Sequence, residues 1–289
     1  LDAYQFRGGA KYYLKDYEGA IEDYSKVLEI DPNNSAALRN RGDAKYYLKN
    51  YEGAIEDFSR ALEINPQLLD AYQFRGGAKY YLKDYEGAIE DYSKVLEIDP
   101  KNSSALKNRG DAKNALDDYK GAIADYSEAL TIRPKYRICY SKRGFAKWRD
   151  RDFKGAILDL TEAIEIDSND WIDIYVRGRA HLDLKNYHEA IKDFSSTLKI
   201  NPNYLECINL RGALRNKIGD LKGALEDYSL SISINPENKE ILYFRASLYL
   251  NSKNFKKAII DLETIYRLDP SYEDVQELLK KYRSDNQIK

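Results

Sequence analysis

The sequence predicts an all-α solenoid of eight 34-residue helix-turn-helix repeats closed by a C-terminal helix. Three observations predict it. All seven prolines fall on one 34-residue step, at Pro32, Pro66, Pro100, Pro134, Pro202, Pro236 and Pro270, with Ser168 in the remaining place. Numbered within that step, position 8 is Gly in every repeat but the last, which has Ala246, and position 20 is Ala from Ala20 to Ala258. Position 16 is Asp or Asn throughout: Asp16, Asn50, Asp84, Asp118, Asp152, Asn186, Asp220 and Asn254. A fixed period of this size marks stacked supersecondary units. The units are 1–34, 35–68, 69–102, 103–136, 137–170, 171–204, 205–238 and 239–272, and residues 273–289 form the capping helix and tail.

The first helix of each repeat, the A helix, covers about positions 1 to 14. It carries the small residue at position 8, where two helices must approach closely. The Asx column at 16 supplies an N-cap, each worth about 1 kcal/mol, so the B helix begins at position 17. Its apolar residues recur as in Tyr17, Ala20, Ile21, Tyr24, Leu28 and Ile30, which is one helical face. The proline at 32 then ends it. One such hairpin is too small to bury its own apolar face, so stability must come from its neighbours. Beyond Glu273, the stripe Val275, Leu278, Leu279 and Tyr282 predicts a helix that covers the last hairpin. No comparable stripe precedes Leu1, and the chain contains no Met, which suggests a longer natural chain or an edge covered by another molecule.

Residues 1–32 and 69–100 are identical, so the unit copied is a pair of repeats. Net charge is −2 with 46 basic and 48 acidic residues, a balance that favours neither nucleic acid nor an anionic membrane surface. The balance shifts along the chain, from −5 over 1–102 to +3 beyond. No apolar run is long enough to cross a bilayer. Cys139 and Cys207 are two repeats apart and are expected to stay unbridged, because a helical hairpin separates them by more than the Cα spacing a disulfide permits.

The 34-residue step with Gly or Ala at 8, Ala at 20, an aromatic at 24 and Pro at 32 resembles the tetratricopeptide repeat over essentially the whole chain. The resemblance implies a right-handed superhelix whose concave surface, lined by A helices at about positions 2, 5, 6, 9, 12 and 13, binds another protein or a peptide segment. Two departures stand out. The aromatic at position 4 survives only at Tyr4, Tyr72 and Tyr140, and position 7 is Arg where the family has Leu. Arg7 and its seven equivalents are matched by Asp23 and its seven equivalents on the B helix, which predicts a ladder of ion pairs.

No catalytic constellation emerges. The glycine pairs Gly8–Gly9 and Gly76–Gly77 sit inside helices without the lysine and hydroxyl of a phosphate loop. His181 and His188 lie on different helices with no cysteine close in sequence, so no metal or other cofactor is implied. The hydroxyl column at position 25, from Ser25 to Ser229, recurs without a base and reads as back-bonding within the B helix.

Along the implied groove the candidates are Gln5, Tyr12, Arg39, Asn40, Asp43, Tyr46, Gln73, Tyr80, Lys107, Asn108 and Asp111 in the first four repeats. Tyrosine and arginine in such positions are typical of binding anchors. Lys142, Trp148, Arg149, Tyr175 and Arg179 follow around repeats five and six, where Pro gives way to Ser168, position 14 becomes Asp150, and both tryptophans, Trp148 and Trp171, occur. Broken local rules of this kind suggest a specificity patch. Some family members hold an acidic C-terminus in a carboxylate clamp. Asn40 and Asn108 match its middle element, but Gln5 with Gly9 and Gln73 with Gly77 do not match its flank, so a full clamp is rejected. The function expected is a non-catalytic scaffold, monomeric in solution, with no nucleic-acid partner and no direct membrane insertion. The alternatives are self-stacking through the N-terminal edge, or a role as the interaction region of a larger protein.

Overall fold

The computed structural model describes residues 1–272 and 274–286, with side chains as far as 283. Glu273 and the tail at 287–289 therefore lie outside the described residues. Every regular element among the described residues is an α-helix. The chain divides into two compact units, Leu1–Gly155 and Ala156–Lys289.

The first unit holds α1 (Asp2–Tyr13), α2 (Tyr17–Ile30), α3 (Ser35–Tyr47), α4 (Tyr51–Ile64), α5 (Leu69–Tyr81), α6 (Tyr85–Ile98), α7 (Ser103–Ala115), α8 (Tyr119–Ile132), α9 (Arg137–Arg149) and the first turn of α10 (Phe153–Ile166). The second holds the rest of α10, then α11 (Trp171–Asp183), α12 (Tyr187–Ile200), α13 (Leu205–Lys217), α14 (Leu221–Ile234), α15 (Lys239–Asn251), α16 (Phe255–Leu268) and α17 (Val275–Asn286). Within the first unit, α1, α3, α5 and α7 each pack on their own B helix, and each also touches the next A helix, so α1, α3, α5, α7 and α9 form one continuous surface.

Both ends of the turn joining A to B have a local cause. At the B-helix N-terminus, Asp16 accepts from the Gly19 amide at 3.0 Å, and the same bond recurs at Asn50, Asp84, Asp118, Asp152, Asp220 and Asn254. Asn186 is the exception: it occupies the cap without a side-chain bond. The A helix ends in a feature that the sequence reading missed. Residue 15 of every repeat has positive φ, at Lys15, Lys49, Lys83, Asp117, Arg151, Lys185, Gly219 and Lys253. In the first turn the Asp16 amide donates to the Lys11 carbonyl and the Lys15 amide to the Tyr12 carbonyl, the paired closure of a left-handed helix cap. Gly219 alone advertises it, because the other seven repeats place a longer side chain in a backbone region that favours glycine.

Position 8 meets position 24. A Cβ on Gly76 would lie 3.0 Å from the Tyr92 ring, and one on Gly110 would lie 2.7 Å from Tyr126. Ala246 is tolerated in the last repeat, where the helix opposite offers Leu262 instead of an aromatic ring. Position 20 is fully buried in all eight repeats. At the C-terminal end, Val275 and Leu279 of α17 pack with Leu242, Ala246, Leu262 and Ile265, and Tyr282 stacks on Phe255, so the predicted apolar stripe does cover the last hairpin. Cys139 and Cys207 are buried free thiols in different units.

Candidate functional site

The predicted ion-pair ladder is internal framework. Arg75 grips Asp91 with two bonds of 2.9 and 2.6 Å, and the same fork joins Arg7 to Asp23, Arg41 to Asp57, Arg109 to Asp125, Arg177 to Asp193, Arg211 to Asp227 and Arg245 to Asp261. These aspartates are almost fully buried, which a charge tolerates only when it is paired and hydrogen-bonded. The Arg7 guanidinium holds the Asp23 carboxyl below its ordinary range. A second cation from position 11 completes most sites, for example Lys79 at 2.9 Å from Asp91. In repeat six that place belongs to His181, whose Nδ1 is buried without a partner and whose pKa is lowered by burial.

The hydroxyl column does more than back-bond. Ser93 Oγ donates to the Ile89 carbonyl, as predicted, and it also accepts from Arg109 of the following repeat at 3.2 Å. The same link between neighbours runs from Arg41 to Ser25, Arg75 to Ser59, Arg143 to Ser127, Arg177 to Thr161, Arg211 to Ser195 and Arg245 to Ser229. Arg41, Arg75, Arg109, Arg177, Arg211 and Arg245 thus each tie their own hairpin together and tie it to the one before.

On the A-helix surface of the first unit lie two cavities related by the 68-residue copy. The first, about 390 Å³, is lined by Gln5, Phe6, Gly9, Ala10, Tyr12, Tyr13, Tyr24, Arg39, Asn40 and Asp43. The second, about 210 Å³, is lined by Gln73, Phe74, Gly77, Tyr80, Tyr81, Tyr92, Lys107, Asn108 and Asp111, together with Tyr46 from the repeat before. The hydroxyl of Tyr46 lies over Gly77, where an added Cβ would meet it at 3.0 Å. All eleven groove candidates from the first four repeats therefore line one cavity or the other. Phe6, Phe74, Tyr13 and Tyr81, at groove positions 6 and 13, line the cavities as well, and what the sequence reading left out are the position-24 tyrosines. Tyr24 and Tyr92 belong to the core pattern, yet each also reaches a cavity.

The tyrosines are braced against one another. Tyr12 meets Tyr17 edge-on, Tyr17 stacks on Tyr47 at 5.3 Å, and Tyr51 stacks on Tyr81 at 4.9 Å. Burial raises the pKa of Tyr12, Tyr46 and Tyr80, so all three rings carry neutral hydroxyls at physiological pH. Arg39 reaches Asp43 at 3.0 Å and Lys107 reaches Asp111 at 3.2 Å.

The later candidates are distributed over both units. Lys142 lies 3.6 Å from Asp111. Trp148 meets Phe145, and Arg149 sits over the Tyr119 ring and pairs with Asp117. On α11, Tyr175 is buried against Tyr204 and Phe194, and Arg179 bonds both the Tyr175 hydroxyl and Glu206. Trp171 joins the same cluster through Tyr204. Lys142, Trp148 and Arg149 belong to the first unit, whereas Tyr175 and Arg179 belong to the second.

Comparison with known proteins accords with this geometry. Models described as tetratricopeptide repeat match residues 35–68, 69–102, 104–136, 174–204 and 239–272, and a TPR-repeat model matches 8–49. No curated protein matches the chain. In fold it is similar to the C-terminal part of a TPR repeat-containing protein from Cytophaga hutchinsonii, at 21% identity and TM-score 0.72, covering 82% of this chain and 98% of that one. YrrB, described as a TPR protein with an unusual peptide-binding site, aligns at 18% identity and TM-score 0.58 over 66% of this chain and 99% of its own. MamA from Desulfovibrio magneticus aligns at 20% identity and TM-score 0.56 over 58% and 96%.

Proposed function

The chain belongs to the tetratricopeptide-repeat family, and we propose that it is a non-catalytic scaffold holding an extended or helical segment of another protein along its A-helix surface. The single observation that carries the reading is the pair of cavities on one face, each built from the same register of residues two repeats apart. Rigid tyrosines and a few convergent polar groups in a preformed cavity are the usual constitution of a recognition site. The likeness to YrrB, described as peptide-binding, supports a peptide-like occupant.

The test compares the chain with a variant in which Gln5, Asn40, Gln73 and Asn108 are all changed to Ala. These four line the cavities but take no part in the hydrogen bonds described above, so the fold should survive. A protein retained from a source-organism lysate by the first and lost by the second supports groove recognition; retention by both places the binding elsewhere.

A second reading has its own support. Phe6 of α1 is 78% exposed, while Phe74 at the same place in the identical copy is half-buried beneath its neighbours. An apolar helix face of this kind suits a further repeat or a second copy. Under that reading, sedimentation would show a mass that rises with protein concentration, whereas a groove scaffold stays monomeric.

A further inference from the structure

We propose that the first cavity receives a basic side chain, lysine or arginine, of the bound segment, its charged head held on the Asp43 carboxylate. The proposal rests on the groove reading and adds the chemistry of one anchor.

The molecule contains its own control. Asp43 and Asp111 are the same position in repeats two and four, and each accepts from a basic residue four positions earlier. Asp111 is fully served: its Oδ1 accepts from the Tyr126 hydroxyl at 2.7 Å and lies 3.6 Å from the Lys142 ammonium. At the corresponding places near Asp43 stand Phe58 and Phe74, neither of which can donate. Asp43 is only 4% exposed, and its Oδ1 has no hydrogen-bond partner. A buried carboxylate oxygen without a donor is an incomplete site.

Charge points the same way. Asp70 acts electrostatically on Asp43, and its counterpart beside the second cavity is Ile138. The first site therefore sets Arg39 against two carboxylates, whereas the second sets Lys107 and Lys142 against one. The first is short of one cation; in the second, Oδ1 takes a hydroxyl and stands 3.6 Å from an ammonium carried on a flexible chain from the following repeat, and a basic side chain of the bound segment would bring that charge to the first. A carboxylate ligand would instead meet two like charges, with the nearest cation already engaged. The rings of Tyr12 and Tyr24, which line the cavity, add faces that attract a cation.

The test uses the full chain with n-butylammonium and n-butylguanidinium as probes and n-butylurea as the uncharged control, at constant ionic strength. Binding is read from NMR shifts of the Tyr12 and Tyr24 rings. Both cations should saturate the shift at concentrations about tenfold below those needed with the urea, a difference in keeping with a desolvated ion contact. Phe58→Tyr, which supplies the hydroxyl that Tyr126 gives Asp111, should raise Tm while weakening cation binding. Asp43→Asn, which removes the charge by an independent route, should weaken it as well. Equal response to cation and urea, no saturable shift with either cation, or binding unchanged in both variants would overturn the proposal. If the cations fail while the four-alanine variant still loses its partner, the groove reading stands and only the basic anchor is wrong.

Discussion

Repeats one and two and repeats three and four are two copies of one unit, and they have diverged in charge where they have kept their backbone. Both place an Arg or Lys, an Asn and an Asp at the same register of a cavity walled by tyrosines. The differences that reverse the local balance are few: Phe58 against Tyr126 within the copies, and, from the repeat that follows each copy, Phe74 against Lys142 and Asp70 against Ile138. None of them is needed to make the helices. A repeat protein can hold its framework constant and change what a pocket prefers with two or three side chains, because the framework residues, such as Arg75 and Asp91, are not among those that line the cavities.

The largest effect that tests this comparison is on the ladder. Arg75→Ala leaves Asp91 buried with Lys79 alone and removes the link to Ser59, an expected loss of about 3 kcal/mol in denaturant unfolding. Arg7→Ala in the identical first copy should cost clearly less, because Arg7 is 59% exposed, whereas Arg75 is 18% exposed and also holds Ser59. Equal losses would show that the link between neighbours contributes nothing.

Next comes pH. Burial pushes the Asp43 carboxyl up to about 6, with Arg39 opposing and Asp70 reinforcing the rise. A folded value above the unfolded one means that the folded state binds the proton more tightly. The penalty for the charged form is therefore absent below about pH 4, grows between 4 and 6, and is complete above 6. Asp43→Asn removes this dependence, so its stability relative to the parent should improve on going from pH 4 to pH 7 by up to about 2 kcal/mol. Parallel pH curves for parent and Asp43→Asn would refute the account.

Smaller still is the hydroxyl itself. Tyr126→Phe should destabilise by about 1 to 2 kcal/mol by withdrawing a donor from Asp111. The reverse change, Phe58→Tyr, should stabilise, and thermal melts of the two variants should move in opposite directions. Least of all is the turn: Lys83→Gly relieves positive φ and should gain less than about 1 kcal/mol, because glycine also loses more chain entropy on folding.

The sequence alone determined the period, the helix pairing, the cap column and the Arg–Asp ladder, with residues 17–30 read as a helix and found as one. These are legible because each is set by contacts that repeat every 34 residues, so a column of eight reports what one residue cannot. The αL turn stayed hidden, since seven of eight repeats fill it with Lys, Asp or Arg instead of Gly219. The link from Ser25 to Arg41 was missed for a different reason: the two side chains meet only when successive hairpins stack, although both columns were in view. Tertiary structure alone decided which tyrosines brace the helices and which face a cavity, and that Asp43 lacks the donor Asp111 has. A donor's reach depends on side chains from three different helices, and no spacing along one chain records where they converge.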